Sequence, residues 1–147
     1  MKIRLIRNNS VVLLPTKGTI HSAGFDLSAN VNGSVTIKPQ ERKLIDTGIS
    51  LAIPEGYFGM VCPRSGLALK FGITILNSPG IIDSDYRGEI KCILVNHGES
   101  DFIVANGARI AQLIIVKYQD DSEFVEISKF NTHQTGRGEG GFGSTGF

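Results

Sequence analysis

Short runs of β-branched and apolar residues recur along the whole chain, and turn-forming clusters separate them. The runs fall at residues 2–6, 11–14, 24–29, 34–37, 44–53, 57–62, 73–76, 89–96, 102–104, 109–118 and 124–127. Asn32-Gly33, Pro54-Glu55-Gly56, Asn96-His97-Gly98 and Asn106-Gly107 punctuate them. Val, Ile and Thr suit a pleated, half-buried surface. Asn-Gly pairs supply the positive φ that closes a tight turn. Strands at this spacing predict an all-β sandwich or barrel. One stretch departs from the pattern: SGLALK (65–70) reads as a short helix, with Ser65 as N-cap and Gly72 just past the end.

At 147 residues, with 41% hydrophobic and 20% charged residues, the chain is one soluble domain with enough length for a real core. The domain runs over residues 1–135. GRGEGGFGSTGF (136–147) follows as an arm, half glycine, too costly in backbone entropy to pack as helix or strand. One reading of it is a flexible Gly/Ser linker. A linker has no use for Arg137 and Phe142, however, or for the hydroxyls of Ser144 and Thr145. These suit an anion, a flat ring and a phosphate edge.

Net charge is +1, so no broad field favours duplex DNA or an anionic membrane. No apolar run approaches the roughly 20 residues that span a bilayer, and the first residues lack a signal-peptide core. Cys62 and Cys92 sit in apolar, strand-like runs without CxxC spacing. They read as reduced, buried thiols of a cytoplasmic protein. The three histidines make no metal spacing, and neither a nucleophile elbow nor a P-loop occurs.

Four segments carry chemistry. Pro63-Arg64-Ser65-Gly66 follows a strand and opens the short helix, so a guanidinium, a hydroxyl and free N–H groups converge; an ordinary cap beside a surface arginine is the plainer reading. In Gly80-Ile81-Ile82-Asp83-Ser84-Asp85-Tyr86-Arg87-Gly88-Glu89, Asp83 follows two isoleucines at the edge of the core. A carboxylate there can orient a water and take its proton, or simply form a hairpin tip. Asp26 lies inside a strand, where Asp is disfavoured; either it faces solvent or it serves a polar site such as a hydrated metal ion. Arg109 and Gln112 are three apart in a strand and are expected on opposite faces.

In this order, AGFDLSA (23–29), PRSGLA (63–68), NSPGIIDSDYRGEI (77–90), RIAQLI (109–114) and GRGEGGFGSTG (136–146) resemble the five motifs of the trimeric dUTP diphosphatases. The resemblance runs from about residue 20 to the C-terminus. It implies a jelly-roll-like β-barrel assembled as a homotrimer, with active sites between subunits. One subunit supplies the first, second and fourth motifs, another the third, and the remaining one the arm that closes over nucleotide. The implied reaction is hydrolysis of dUTP to dUMP and diphosphate, which keeps uracil out of DNA and supplies dUMP for thymidylate synthesis. By the same resemblance Asp83 deprotonates the attacking water, and Tyr86 packs on the deoxyribose and excludes a 2′-hydroxyl. Asn77 and the backbone around Ile81, Ile82, Asp83 and Lys91 read uracil. Arg64, Ser65, Gly66 and Gln112 hold the phosphates. Arg137 meets the γ-phosphate, Phe142 stacks on uracil, and Gly143, Ser144 and Thr145 contact phosphate. Mg²⁺ is the implied cofactor, bound chiefly through the phosphates, with Asp26 acting through water or by fixing site geometry. Phe25 stands where many members carry tyrosine, and Glu139 places a carboxylate in the arm. The nearest rival is the related, also trimeric dCTP deaminase, which needs a glutamate to activate water at the pyrimidine ring. A nucleotide-sensing module without catalysis is the other.

Overall fold

In a computed structural model the structure describes residues 1–119 and 121–128. Ten strands and one helix follow in order: β1 (Arg4–Arg7), β2 (Gly24–Ser28), β3 (Ser34–Ile37), β4 (Arg42–Ala52), β5 (Tyr57–Cys62), α1 (Ser65–Phe71), β6 (Ile73–Ile75), β7 (Gly80–Ile82), β8 (Glu89–Asn96), β9 (Phe102–Ala105) and β10 (Arg109–Lys117). They form two four-stranded sheets, β1-β4-β8-β6 and β2-β10-β5-β7, and a two-stranded ribbon, β3-β9. Every pairing is antiparallel. The all-β, jelly-roll-like expectation holds, with one correction: the ladders do not close into a barrel. Among the described residues β1 and β6 are edges of one sheet, β2 and β7 of the other.

The core forms where alternating side chains of both sheets meet. Leu27, Ile45, Ile49, Ile73, Ile90, Leu94 and Ile110 are almost wholly buried. Each such aliphatic contributes about 1.5–3 kcal/mol on burial. Polar groups inside are satisfied. Asn96, fully buried, donates to the carbonyls of Ile37 and Ser100, both at 2.9 Å, and accepts from the Gly98 N–H at 2.8 Å. Thr47 Oγ1 donates to the Ile90 carbonyl at 2.6 Å, and the Gly48 N–H donates to Glu89 Oε1 at 2.6 Å. These two bonds sit where the β4–β8 register shifts between Asp46 and Ser50, and they pin the start of β8.

Two expected strands are absent. At residues 11–14, Val12 is buried in the core and its carbonyl accepts from Arg7 Nη1, so the segment serves as a plug rather than a ladder. At 124–127 no strand pairs among the described residues, and Phe124 and Val125 stand exposed. β7 is not among the expected strands, and its place beside β5 alters the path of residues 83–88. β7 pairs β5 whereas β8 pairs β4, so these residues cross between sheets instead of closing a hairpin.

The helix starts one residue earlier than expected, at the residue read as its cap. Arg64, extended at φ −96° and ψ 125°, is the N-cap; no side chain caps the helix, and Ser65 is its first residue. Gly72 ends it as expected. Its φ of 68° is left-handed, and its N–H returns to the Ala68 carbonyl at 3.0 Å. The expectation of two buried thiols holds for Cys92, while Cys62 is only half-buried.

Candidate active site

Asp26 lies on β2 directly opposite Gln112 of β10. Its side chain is 16% exposed. Arg64 Nε donates to Oδ1 at 3.0 Å and Arg109 Nη1 donates to Oδ2 at 3.1 Å. Arg64 Nη1 also donates to the Arg109 carbonyl at 3.1 Å, and Gln112 Nε2 donates to the Pro63 carbonyl at 2.9 Å. The first, second and fourth motifs thus meet through one carboxylate. Two guanidiniums against one carboxylate leave one net positive charge, suited to a polyanion.

Arg109 belongs to this cluster against expectation. The β2–β10 register shifts between Arg109, opposite Ser28, and Ala111, opposite Leu27. This bulge inserts one extra residue and re-aims the side chain. Ser28 and Asp26 share a face, so Arg109 and Gln112 both stand on it despite their odd spacing. Ser65 and Gly66 are exposed at the mouth of the same cluster. A Cβ at Gly66 would meet nothing within 4 Å, so packing gives no reason for glycine there. Close approach of a ligand gives one.

The third motif builds a separate cavity of about 260 Å³. Ile81, Ile82, Asp83 and Tyr86 form one wall, and Glu89, Ile90 and Lys91 the other. β7 is an edge strand, and β6 pairs β8 only over Leu94–Asn96 with one further bond to Ile93. Both walls therefore include backbone that no neighbouring strand pairs on one side. Asp83 is exposed, and its side chain makes no hydrogen bond or ion pair among the described residues. Its carbonyl accepts from the Tyr86 N–H at 3.2 Å. Tyr86 is 44% exposed, and its hydroxyl donates to the Glu89 carbonyl at 3.0 Å. Arg87 Nη1 ties the crossing together through the carbonyls of Ser84 and Tyr86, at 2.6 and 2.9 Å.

Lys91 Nζ pairs with Asp46 Oδ1 at 2.9 Å, and that hydrogen-bonded carboxylate raises the ammonium above its ordinary pKa. Its side chain is thereby occupied, which leaves its backbone for the cavity. Glu89, part of the third motif but given no role there, spends Oε1 on Gly48. Asn77 precedes β7 and lies over Gly80 rather than in the cavity wall. The Asp26 cluster and the Asp83 cavity share no side chain and no hydrogen bond among the described residues. Arg137, Phe142, Gly143, Ser144 and Thr145 lie outside the described residues.

The chain is thus an all-β, jelly-roll-like protein with an arginine-flanked carboxylate suited to a polyanion and a small separate cavity. The family profile for dUTPase matches residues 11–146. A deoxyuridine 5′-triphosphate nucleotidohydrolase of Syntrophotalea carbinolica is 50% identical over 146 residues, covering 99% of this chain and 97% of the relative. One of Rickettsia bellii is 53% identical over 137 residues, covering 90% and 87%. Among solved structures, a G164S mutant of the Staphylococcus bacteriophage 80alpha dUTPase with dUpNHpp superposes at a TM-score of 0.89, with 26% identity and 99% of each chain covered. The chain belongs to the dUTPase family.

Proposed function

We propose that the chain hydrolyses dUTP to dUMP and diphosphate, with Asp83 as general base. The observation that carries this reading is the joint placement of Asp83 and Tyr86 in one cavity, between the edge strand β7 and the stretch of β8 that β6 does not reach. Uracil presents two carbonyl oxygens and one N–H along its edge. Backbone donors and acceptors around Ile81, Ile82 and Lys91 would read that alternation, with Asn77 reaching in from before β7. On this reading the slot excludes the methyl of thymine, and Tyr86 packs on the sugar and excludes a 2′-hydroxyl. Names of full-length relatives at half identity support the same substrate.

In the reaction Asp83 takes a proton from water as its oxygen bonds to the α-phosphorus. The bond from that phosphorus to the bridging oxygen breaks, and diphosphate leaves. Arg64, the backbone at Ser65 and Gly66, and Gln112 hold the phosphates as charge develops. Mg²⁺ supplies further neutralisation of the phosphate oxygens when bound. Both Asp26 oxygens hold arginines, so a role through water fits this carboxylate better than direct coordination. From the arm, Arg137 meets the γ-phosphate, Phe142 covers uracil, and Gly143, Ser144 and Thr145 close on phosphate.

The enzyme acts as a cytoplasmic homotrimer with sites shared between subunits. The separation of the two half-sites within one chain supports this. So does α1, which buries no residue and leaves Leu69 87% exposed. No helix among the described residues is long and apolar enough to cross a membrane. A deaminase reading has less support, because Glu89 of the cavity is already bonded to Gly48.

Diphosphate release with Mg²⁺ from dUTP, dTTP, dCTP and UTP in parallel tests the proposal. Release from dUTP alone is the expected result. Ammonia from dCTP moves the chain to deamination, and binding of dUTP without release makes it a sensor.

A further inference from the structure

Arg109 takes no direct part in the proposed dUTP chemistry, yet it holds one of the two oxygens of Asp26. We propose that Arg109 is a positioning residue of the phosphate subsite, acting on Arg64 through Asp26; this rests on the dUTP reading. The bulge at the start of β10 gives Arg109 two contacts at once. Its side chain takes Asp26 Oδ2, and its carbonyl takes Arg64 Nη1. Arg64 is thus fixed from two sides, at Nε by Asp26 and at Nη1 by the bulge. A guanidinium has five donors in a rigid fork, so its Nη2 edge stays free for phosphate.

The charges require Arg109 as well. Asp26 alone would neutralise Arg64 and offer the triphosphate a neutral pair. Arg109 restores the net positive charge without itself being buried, since its side chain is 58% exposed. Loss of so exposed a group costs little folding stability. Its loss is felt instead by the ligand that reads the charge and the orientation of Arg64.

The test is calorimetric binding of dUpNHpp, with deoxyuridine as a control for the base cavity. The set comprises the unaltered protein, Arg109→Ala, Arg109→Lys, Asp26→Asn and the Asp26→Asn/Arg109→Ala pair. Arg109→Ala is expected to weaken dUpNHpp about five- to tenfold and to leave deoxyuridine unchanged, while Arg109→Lys recovers part of the loss. On the Asp26→Asn background the same change has a smaller effect, because the partner through which it acts is gone. Equal dUpNHpp affinity in Arg109→Ala overturns the proposal. So do fully multiplicative losses in the pair, which would make Arg109 a direct phosphate ligand. Arg109→Gln carries the same comparison if the alanine variant melts early. Failure of the unaltered protein to bind dUpNHpp would instead sink the dUTP reading itself.

Discussion

Replacing Gly88 with alanine moves Tyr86, whose side chain holds the three atoms nearest the new methyl. A Cβ at Gly88 would stand 2.6 Å from Tyr86 Cζ and 3.0 Å from Cε2. Carbon atoms in ordinary contact lie about 3.5–4.0 Å apart, so the ring must retreat by about 1 Å. That shift breaks the 3.0 Å bond from the Tyr86 hydroxyl to the Glu89 carbonyl. The hydroxyl is at the surface and water replaces the bond, so the folding cost is about 1 kcal/mol or less. Melting should therefore move by only about 2–6 °C. Sugar choice should move far more. If the ring is what excludes a 2′-hydroxyl, a retreat of about 1 Å makes room for one, and misplacements of that size change rates by up to about a hundredfold. The expected outcome is a dUTP/UTP ratio of kcat/KM reduced by about tenfold or more. Diphosphate release under steady-state conditions with each nucleotide reads it. A parallel fall for both nucleotides, with the ratio unchanged, refutes the role given to Tyr86.

Asp83→Asn should keep dUpNHpp affinity within a few-fold and cut turnover by about 10²–10⁴, read by calorimetry and diphosphate release. Removing residues 136–147 should leave the melting temperature and oligomer size unchanged and lower turnover by orders of magnitude; unfolding or dissociation in size-exclusion runs would make the arm structural. Asn96→Ala strands the Gly98 N–H and the Ile37 carbonyl, and urea titration should show a loss of about 2–4 kcal/mol. Burial pushes the Cys92 thiol from 9.0 up to about 12. Between those values the unfolded chain releases a proton that the folded chain keeps, so stability falls as pH rises from 9 toward 12, by up to about 1.4 kcal/mol per pH unit. Urea titrations of Cys92→Ala across that range should lose this slope.

The apolar runs of β2, β4, β5, β8 and β10 are legible because side chains alternate between core and surface, and alternation is written in the sequence. Residues 11–14 and 124–127 carry equal propensity and form no strand in the described chain. Propensity reports whether a segment fits a sheet, and a ladder also needs a neighbour. β7 is three residues between a proline and a turn, too short to show a period. Asp26, Arg64, Asp83 and Tyr86 stand out as motif residues, but their partners do not. Counting by two puts Arg109 on the wrong face because it assumes a regular strand, and one bulge inverts the result. Glu89 gives no local signal because its bond to Gly48 spans 41 positions.

The division of the site follows from the sheets. Asp26, Arg64, Arg109 and Gln112 come from β2, β10 and the end of β5, three neighbours whose hydrogen bonds fix them to one another. Asp83 and Tyr86 stand on a crossing between sheets, bordered by strands that have already parted. A nucleoside triphosphate needs both: a slot to choose base and sugar, and a positive clamp for the phosphates. In the mechanism proposed above, the general base acts between them, at the α-phosphorus. Under the trimer proposed above, another copy of the chain would bring its clamp to this slot. On that account the arginine pair around Asp26 does not wait for substrate to become ordered. It is preset within one chain, so little of the phosphates' binding energy is spent on ordering it.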